Sequence, residues 1–344
     1  MSLRIVIVGS VQSIWAAPAF ARALEQLGVE VFFFDWGSMF SRGMIGRFES
    51  RFMCGPAVRR AHKTLLKYID SINPDLLLIH NGRLFGPETI AKLKQRWWVA
   101  GYMHDDPFGA FSRKAYFRLF KRAIPFYNSH HVIRPENIYE YQQLGVKHVK
   151  ILMTHYSPWM HYPMRGNDSH YEFEVVFIGH AERDRRIDYV TDIVNAGIPL
   201  RIFGDPKYWR RYLPPEVQRR LPPITPRLGK SYARTISFSK ICLAFHSQAN
   251  RDRYSHRVFE IPACRGFLLA ERTDIMRSLY EEGKEAEFFD SSDELVDKIR
   301  FYLKHDSARE QIAQKGYERC TKSGYDVVSR MRQWLMDIQE FRKQ

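Results

Sequence analysis

The strongest constraint on this chain is a rhythm. Short apolar runs alternate with amphipathic stretches from end to end, and the alternation pauses and restarts once. An apolar run followed by a helical stretch, repeated many times, is the pattern of βαβ units. Their strands run parallel because a helix makes each return trip. In the first half the expected strands are Leu3–Val8, Val29–Phe34, Leu76–His80, Trp98–Met103, Ile124–Asn128 and Val149–Met153. Helices are expected at Ala16–Leu27, Val58–Ile69, Pro87–Lys94, Arg113–Arg122 and Pro135–Leu144. The stretch His155–His170 is rich in Tyr, Pro, His and Gly, has no period, and reads as a linker. The pattern restarts with strands at Phe173–Gly179, Leu200–Phe203, Ile241–Phe245, Phe267–Ala270 and Glu287–Phe289. Their helices are expected at Arg185–Ala196, Ser231–Phe238, Ser255–Ala263 and Glu294–Lys304, and Ala308–Cys320 and Tyr325–Arg342 close the chain. The reading is α/β: two Rossmann-like domains with mostly parallel sheets facing a cleft, at 1–160 and 171–322, with a last helix over 323–344.

Bulk properties narrow the class. A chain of 344 residues can bury two cores of ordinary size. No apolar run approaches the roughly 20 residues that span a bilayer, and the opening Met-Ser-Leu-Arg-Ile-Val-Ile-Val-Gly reads as a strand, not a leader. Cys54, Cys242, Cys264 and Cys320 have no paired spacing for zinc or redox work, so reduced thiols in a cytoplasmic protein are expected. A net charge of +15 points to anionic partners.

Residues 251–271 carry the most chemistry. A basic loop runs into a short helix with Arg257 and Glu260, then a small-residue turn at Ala263–Gly266, then the strand Phe267–Ala270. Free backbone N–H groups at a helix start beside an arginine suit a diphosphate, and a carboxylate one turn later suits sugar hydroxyls. Pro262 falls inside that helix and should remove a hydrogen bond from it.

These residues resemble the CgeB-like group of glycosyltransferases, in the GT-B superfamily. The resemblance rests on Arg257-x-Phe259-Glu260, Pro262-Ala263-Cys264 and Gly266-Phe267-Leu268-Leu269. It continues through Gly283-Lys284-Glu285-Ala286, Phe288-Phe289 and Asp293-Glu294-Leu295. It covers about Phe173 to Tyr325; the family pattern has glycine where Arg265 stands. It implies a transferase of the hexosyltransferase type (EC 2.4), using a nucleoside diphosphate-sugar as co-substrate and no other cofactor. The acceptor would be a bacterial cell-surface glycan, a lipid-linked sugar or a protein, and the last helix would cross back onto the first domain. Asp252 and Glu260 match the paired-acid spacing of retaining GT-B enzymes, in which the first acid contacts the donor sugar and the second holds the ribose.

Parallel sheets bind ligands at the carboxyl ends of their strands, which places the donor site. Gly179, Arg183, Arg185 and Arg186 follow the first strand of the second half, Gly204-Asp205 follows Phe203, and His246 precedes the loop that holds Asp252. Arginines there could neutralise phosphate, although solvated surface arginines and ordinary turn chemistry explain single residues equally well. Lys230 is a weaker phosphate candidate.

In the first half, His104-Asp105-Asp106-Pro107 directly follows a strand. Asp105 or His104 is the candidate general base for an acceptor hydroxyl, and Asp106 reads as a cap for a following helix. Asp105 as base would fit inversion, whereas the acid spacing favours retention. His80-Asn81-Gly82-Arg83 and Gly9-Ser10 line the acceptor side. Gly9-Ser10-Val11-Gln12-Ser13-Ile14 lacks the second and third glycines of a dinucleotide fingerprint, which argues against a dehydrogenase. Asp105 and Asp106 are adjacent and not spaced as D-x-D, so a metal-independent reaction is expected.

Two basic and aromatic stretches, Trp36–Lys63 and Phe111–Phe126, could form a peripheral face at the inner membrane surface. For the second, an ordinary amphipathic helix covering the sheet is the preferred reading. Rival functions are a sugar-nucleotide epimerase or hydrolase on the same fold, and a non-catalytic spore or surface protein on a degenerate scaffold. No nucleic-acid-binding module is recognisable.

Overall fold

The computed structural model describes residues 2–11, 16–41, 43–109, 115–165 and 170–344. The chain divides into two compact units: one holds 1–153 and 327–344, the other 154–326. Gln12, Ser13, Ile14, Arg42, Phe111, Arg113 and Lys114, and the last part of the expected 155–170 linker except His170, lie outside the described residues.

The first unit is built on six strands: β1 (Arg4–Gly9), β2 (Glu30–Asp35), β3 (Leu76–His80), β4 (Trp98–Met103), β5 (Ser129–Val132) and β6 (His148–Ile151). Their order is β2-β1-β3-β4-β5-β6 and every pairing is parallel. β3 is buried along its whole length. Continuous Leu-Leu-Leu-Ile with no polar alternation is what a strand covered on both faces requires. The helices Ala17–Gln26, Pro56–Ile72, Pro87–Lys94 and Pro135–Gln143 all carry proline in their first two positions, where its missing N–H costs nothing.

The final helix, Val327–Phe341, packs on the helix Ala17–Gln26. Its buried Asp337 accepts from His131 Nε2 at 3.2 Å and from Lys150 Nζ at 2.9 Å.

Three expectations for this half need correction. Ile124–Asn128 is not a strand: Ile124–Phe126 is a 3₁₀ turn and the fifth strand starts at Ser129. Pro125 cannot donate to a ladder, and the strand itself hides behind two histidines. His130 is buried and donates Nε2–H to the Ile124 carbonyl at 3.1 Å, while burial pushes its pKa down to about 3, so it packs as a neutral ring. The stretch 36–57, where no helix is expected, holds the helix Met44–Phe52 and the start of Pro56–Ile72. The two meet at buried Glu49, whose Oε1 accepts the Ala57 N–H at 2.9 Å. Finally, no helix among the described residues starts directly after Asp106; its Oδ1 accepts from Phe108 N at 2.9 Å and Asn137 Nδ2 at 3.1 Å.

The second unit has five strands: β7 (Phe173–Ile178), β8 (Leu200–Phe203), β9 (Ser239–Ala244), β10 (Leu268–Glu271) and β11 (Glu287–Phe289). Their order is β11-β10-β9-β7-β8, again all parallel. Each unit is thus an α/β domain built on an all-parallel sheet. Residues 155–165, the described first part of the expected linker His155–His170, belong to this unit: Tyr156 N–H donates to the Tyr325 carbonyl at 3.3 Å, and Met164 N–H to Ser237 Oγ at 3.1 Å. Loop segments without period still form structure when another element satisfies their backbone groups.

The helix Arg257–Ala263 tolerates Pro262 for a specific reason. Proline leaves the Val258 carbonyl without its intrahelical donor, and the buried Tyr280 hydroxyl donates to that oxygen at 2.9 Å. The helix then ends at Arg265, which sits at φ +58, while Gly266 N–H closes back on the Ile261 carbonyl at 3.0 Å. That left-handed position favours glycine, so Arg265 carries a local strain of about 1 kcal/mol there.

Candidate functional site

The carboxyl ends of β7 to β10 gather most of the expected donor residues in one region of the second unit. Arg257 is the hub. Its Nε donates to the Ile178 carbonyl at the end of β7, its guanidinium lies 5.7 Å from the Phe177 ring centroid, and a Cβ on Gly179 would stand 2.7 Å from its Nη2. Gly179 is therefore small to admit Arg257. Gly204 has a similar role: a side chain there would overlap the Gly179 carbonyl, which also accepts from Trp209 Nε1 at 3.0 Å. These glycines are required by close approach of protein to protein, whatever ligand sits beyond them.

The loop after β7 separates its arginines by burial. Arg186 is buried and clamps the loop: Nε and Nη2 grip Asp184 at 2.7 and 2.9 Å, and Nη1 donates to the His180 carbonyl at 2.7 Å. Arg185 is exposed and donates to the Asp290 carbonyl at 3.1 Å. Arg183 is exposed and makes no ion pair or hydrogen bond among the described residues, so it is the arginine of this loop that can meet an incoming anion. Lys230 is exposed at the start of the helix Lys230–Ser237.

His246 follows β9. Its N–H donates to Glu271 Oε2 at 2.5 Å, and both ring nitrogens are buried with no hydrogen-bond partner. Burial pushes its pKa to about 4, so the ring is neutral at pH 7. Asp252, part-buried, hangs from the loop Ser247–Arg253 by its N–H to the Ser247 carbonyl at 2.8 Å. Ser247 Oγ in turn donates to Glu182 Oε2 at 2.5 Å, tying the two loops together.

Glu260 is buried, 7 % exposed. The Tyr232 hydroxyl donates to its Oε2 at 2.5 Å, and His161 Nε2 lies 3.7 Å from its Oε1. His161 Nδ1 accepts the Ser157 N–H at 3.0 Å, so in the neutral ring the proton sits on Nε2 and points toward the carboxylate. Burial opposes the charge on Glu260, but His161, His256, the Tyr232 hydroxyl and Arg257 together outweigh it and hold the pKa below the ordinary carboxylate range. The result is a fixed negative charge with unused lone pairs.

Of the backbone N–H groups at the start of this helix, three are taken: Val258 donates to the Ser255 carbonyl at 3.3 Å, and Phe259 and Glu260 donate to that of His256 at 3.0 Å.

In the first unit the strand ends present a second set. Asn81, at φ +50, donates N–H to the Tyr102 carbonyl at 2.9 Å and accepts the His104 N–H on Oδ1 at 3.2 Å. The His104 carbonyl accepts from Arg134 at 2.9 Å. His80 is buried and stacks on Tyr102, with centroids 5.5 Å apart. Asp105 is part-buried and lies close enough to Arg83 to stabilise that guanidinium. Gly9 has no room for a side chain because the helix Ala17–Gln26 passes directly over it, whereas Ser10, His80, Asn81 and Arg83 line a cavity of about 580 Å³. Among the described residues no group of three or more His, Cys, Asp or Glu is placed to hold a metal ion.

Comparison with known proteins agrees with this architecture. Residues 185–336 match a protein family described as glycosyl transferase-like. No curated protein matches the chain in sequence. In fold the chain is similar to sucrose-phosphate synthase from Thermosynechococcus elongatus, at 12 % identity and TM-score 0.71 over 99 % of this chain and 100 % of that one. It is similar to Anabaena Alr3699/HepE, solved in complex with UDP-glucose, at 12 % identity and TM-score 0.66 over 98 % and 100 % of the two chains. A point mutant of S. aureus TarM, solved with Fondaparinux, alpha-GlcNAc-glycerol and UDP, matches at 14 % identity and TM-score 0.57, over 80 % of this chain and 58 % of that one. What these likenesses share with the chain is the two-domain α/β fold.

Sequence reasoning did not single out His161 or Tyr232, the two side chains on Glu260. His161 lay in a stretch without period, and Tyr232 read as one more residue of an amphipathic helix. Two polar residues bracketing a candidate acid leave no spacing signal when they come 99 and 28 residues away from it.

Proposed function

We propose that this protein is a glycosyltransferase that moves a hexose from a nucleoside diphosphate-sugar to a hydroxyl of a glycan, lipid-linked or protein acceptor, without a metal ion. The observation that carries this reading is the buried, ionised Glu260 one turn from Arg257, at the carboxyl edge of the second sheet. Glu260 accepts the ribose hydroxyls, and Arg257 Nη groups with Arg183 take the diphosphate charge. Asp252 and His246 face the donor sugar. In the step itself the acceptor oxygen bonds the anomeric carbon, and the bond from that carbon to the diphosphate oxygen breaks. The nucleoside diphosphate leaves with the electron pair, and the hydroxyl proton passes to Asp105. The Arg257 motif is read as that of a CgeB-like branch, from whose pattern Arg265 departs, and a bacterial cell-surface glycan is the acceptor class assigned.

Replacing Asp105 with asparagine should lower turnover by about 10²- to 10⁴-fold, the usual worth of a positioned base, with donor affinity unchanged. Turnover is read as nucleoside diphosphate released in the presence of a hydroxyl acceptor, and affinity by calorimetry with UDP-, GDP- and dTDP-sugars. Wild-type turnover in the variant would remove Asp105 from the step. Release of free sugar or epimer with no acceptor present would instead favour an epimerase or hydrolase.

A membrane-facing role belongs to the helix Met44–Phe52. Met44 is 86 %, Ile45 75 % and Phe48 57 % exposed, beside exposed Arg47 and Arg51. Apolar side chains flanked by guanidinium groups suit an anionic bilayer surface that carries the acceptor. The double variant Met44→Glu, Phe48→Glu should lose co-sedimentation with phosphatidylglycerol vesicles. Equal sedimentation of variant and wild type would assign this face elsewhere. Among the described residues no helix is long and apolar enough to cross a membrane.

A further inference from the structure

The cavity at the carboxyl ends of β1 to β3 contains a feature that the transfer step does not use. Arg83 buries its Nε and Nη1 without a hydrogen-bond partner. Its guanidinium is sandwiched by Tyr116, 3.9 Å from the ring centroid, and Trp36, 5.5 Å from the ring centroid. Trp36 lines the same cavity and likewise buries its indole N–H without an acceptor. Buried donors of this kind are costly to leave unmade, and a guanidinium is among the costliest. The backbone is bent to put it there: Asn81 adopts φ +50 and its carbonyl accepts the Arg83 N–H at 2.7 Å.

The charges around Arg83 do not cancel it. Asp105 attracts it through space but forms no ion pair with it, and burial still lowers its pKa to about 10. Asp35 is turned to the backbone, with Oδ1 accepting the N–H groups of Gly37 at 3.0 Å and Val11 at 3.3 Å. Buried Glu49 is spent on the Ala57 N–H. Arg47, on the helix Met44–Phe52, adds a second, exposed guanidinium to the cavity lining, beside Ser50. Two guanidinium groups, one of them stacked on aromatic rings, with an indole N–H donor beside them, are the recognition set of a phosphate group.

We infer that this cavity binds the phosphate of a phosphorylated acceptor, held by Arg83 and Arg47 and bonded by the Trp36 indole N–H. The inference deepens the transferase reading by assigning the acceptor a chemical class, and it rests on that reading for the word acceptor.

The test uses the whole chain saturated with UDP, so that the donor region is filled, titrated with glycerol 3-phosphate and with glycerol by calorimetry. Glycerol 3-phosphate should bind and glycerol should not. Arg83→Gln should weaken binding by at least about tenfold, the loss expected for a charge-assisted pair, with UDP affinity unchanged. Ser50→Phe, which fills the cavity and leaves the guanidinium in place, should do the same, and it carries the test if Arg83→Gln does not fold. Nanodiscs bearing phosphatidate separate the source. They displace glycerol 3-phosphate if the phosphate sits on a lipid and leave it bound if the acceptor is a soluble glycan, and both results require the site. The inference is overturned if the UDP-saturated protein does not bind glycerol 3-phosphate, or if both variants bind it as the wild type does. Failure of UDP itself to bind would instead sink the transferase reading, while Arg83-dependent phosphate binding would still establish the anion site.

Discussion

Glu260→Gln should weaken the binding of a nucleoside diphosphate-sugar by about 30- to 150-fold, with little change in folding stability. The side chain keeps its shape and can still accept from Tyr232, whose hydroxyl donates to Oε2 at 2.5 Å. What disappears is the charge offered to ribose hydroxyls from a site only 7 % exposed. Hydrogen bonds to a charged partner are worth on the order of 2–3 kcal/mol, which converts to that range in Kd. Glu260→Ala serves as the contrast: it also strands the Tyr232 hydroxyl, so it should lose stability as well as affinity. Calorimetry and thermal melts on the two variants separate the effects. If Glu260→Gln binds donor as tightly as wild type, the carboxylate holds the helix in place and does not hold ribose.

Arg272→Met should destabilise the second unit by about 2–4 kcal/mol. Arg272 leaves the end of β10 with its side chain 12 % exposed and gathers Glu282 at 2.6 Å, Glu294 at 2.6 Å, Asp290, and the Phe288 carbonyl at 3.0 Å. Removing one partner from a fully buried pair costs about 3–5 kcal/mol; here Glu282 and Glu294 are 30 % exposed and regain some water, which lowers the figure. The pH dependence has a definite sign. Arg272 is the leading cause that holds the Glu294 pKa at about 2 against an ordinary 4.5, and it holds Glu282 down too. A carboxylate depressed in the folded state stabilises fully above the unfolded pKa and loses that contribution as pH falls toward the folded one. Wild-type urea midpoints should therefore fall between about pH 5 and pH 2, and Arg272→Met should fall less steeply over that window. Parallel slopes for the two proteins would show that the network carries no net stability.

The same network shows what the sequence made legible. Asp293-Glu294-Leu295 stood out as a family motif. Ser291 Oγ accepts the Glu294 N–H at 3.2 Å as a helix cap, and the Glu294 carboxylate reaches back to Arg272. A capping pattern is local and can be read, but the ion pair joins residues 22 apart and cannot. Strands followed the same logic. β1, β3, β4 and β7 each contain an apolar run of three or more residues and were legible to within a residue or two. β5 was not, because Ser-His-His-Val has no apolar run, and each of its histidines is held by one hydrogen bond outside the strand, to the Ile124 carbonyl and to Asp337.

For the proposed donor region, strand ends and glycine turns point to the carboxyl edge of the second sheet, since parallel topology fixes which edge carries loops. Which arginine can meet a ligand was a matter of burial: Arg186 is consumed by Asp184, and Arg183, three residues earlier, is not. Period and spacing carry no information about that. His161 illustrates the converse, a ring delivered to Glu260 by a segment whose lack of period made it look like a tether.

The most direct test of the whole account is a crystal structure of the protein with UDP bound. The account predicts nucleotide at the carboxyl ends of β7 to β10, ribose hydroxyls on the Glu260 carboxylate and diphosphate oxygens within reach of Arg257 Nη and Arg183. Nucleotide lodged anywhere else, with Glu260 still bonded only to Tyr232 and His161, would contradict it.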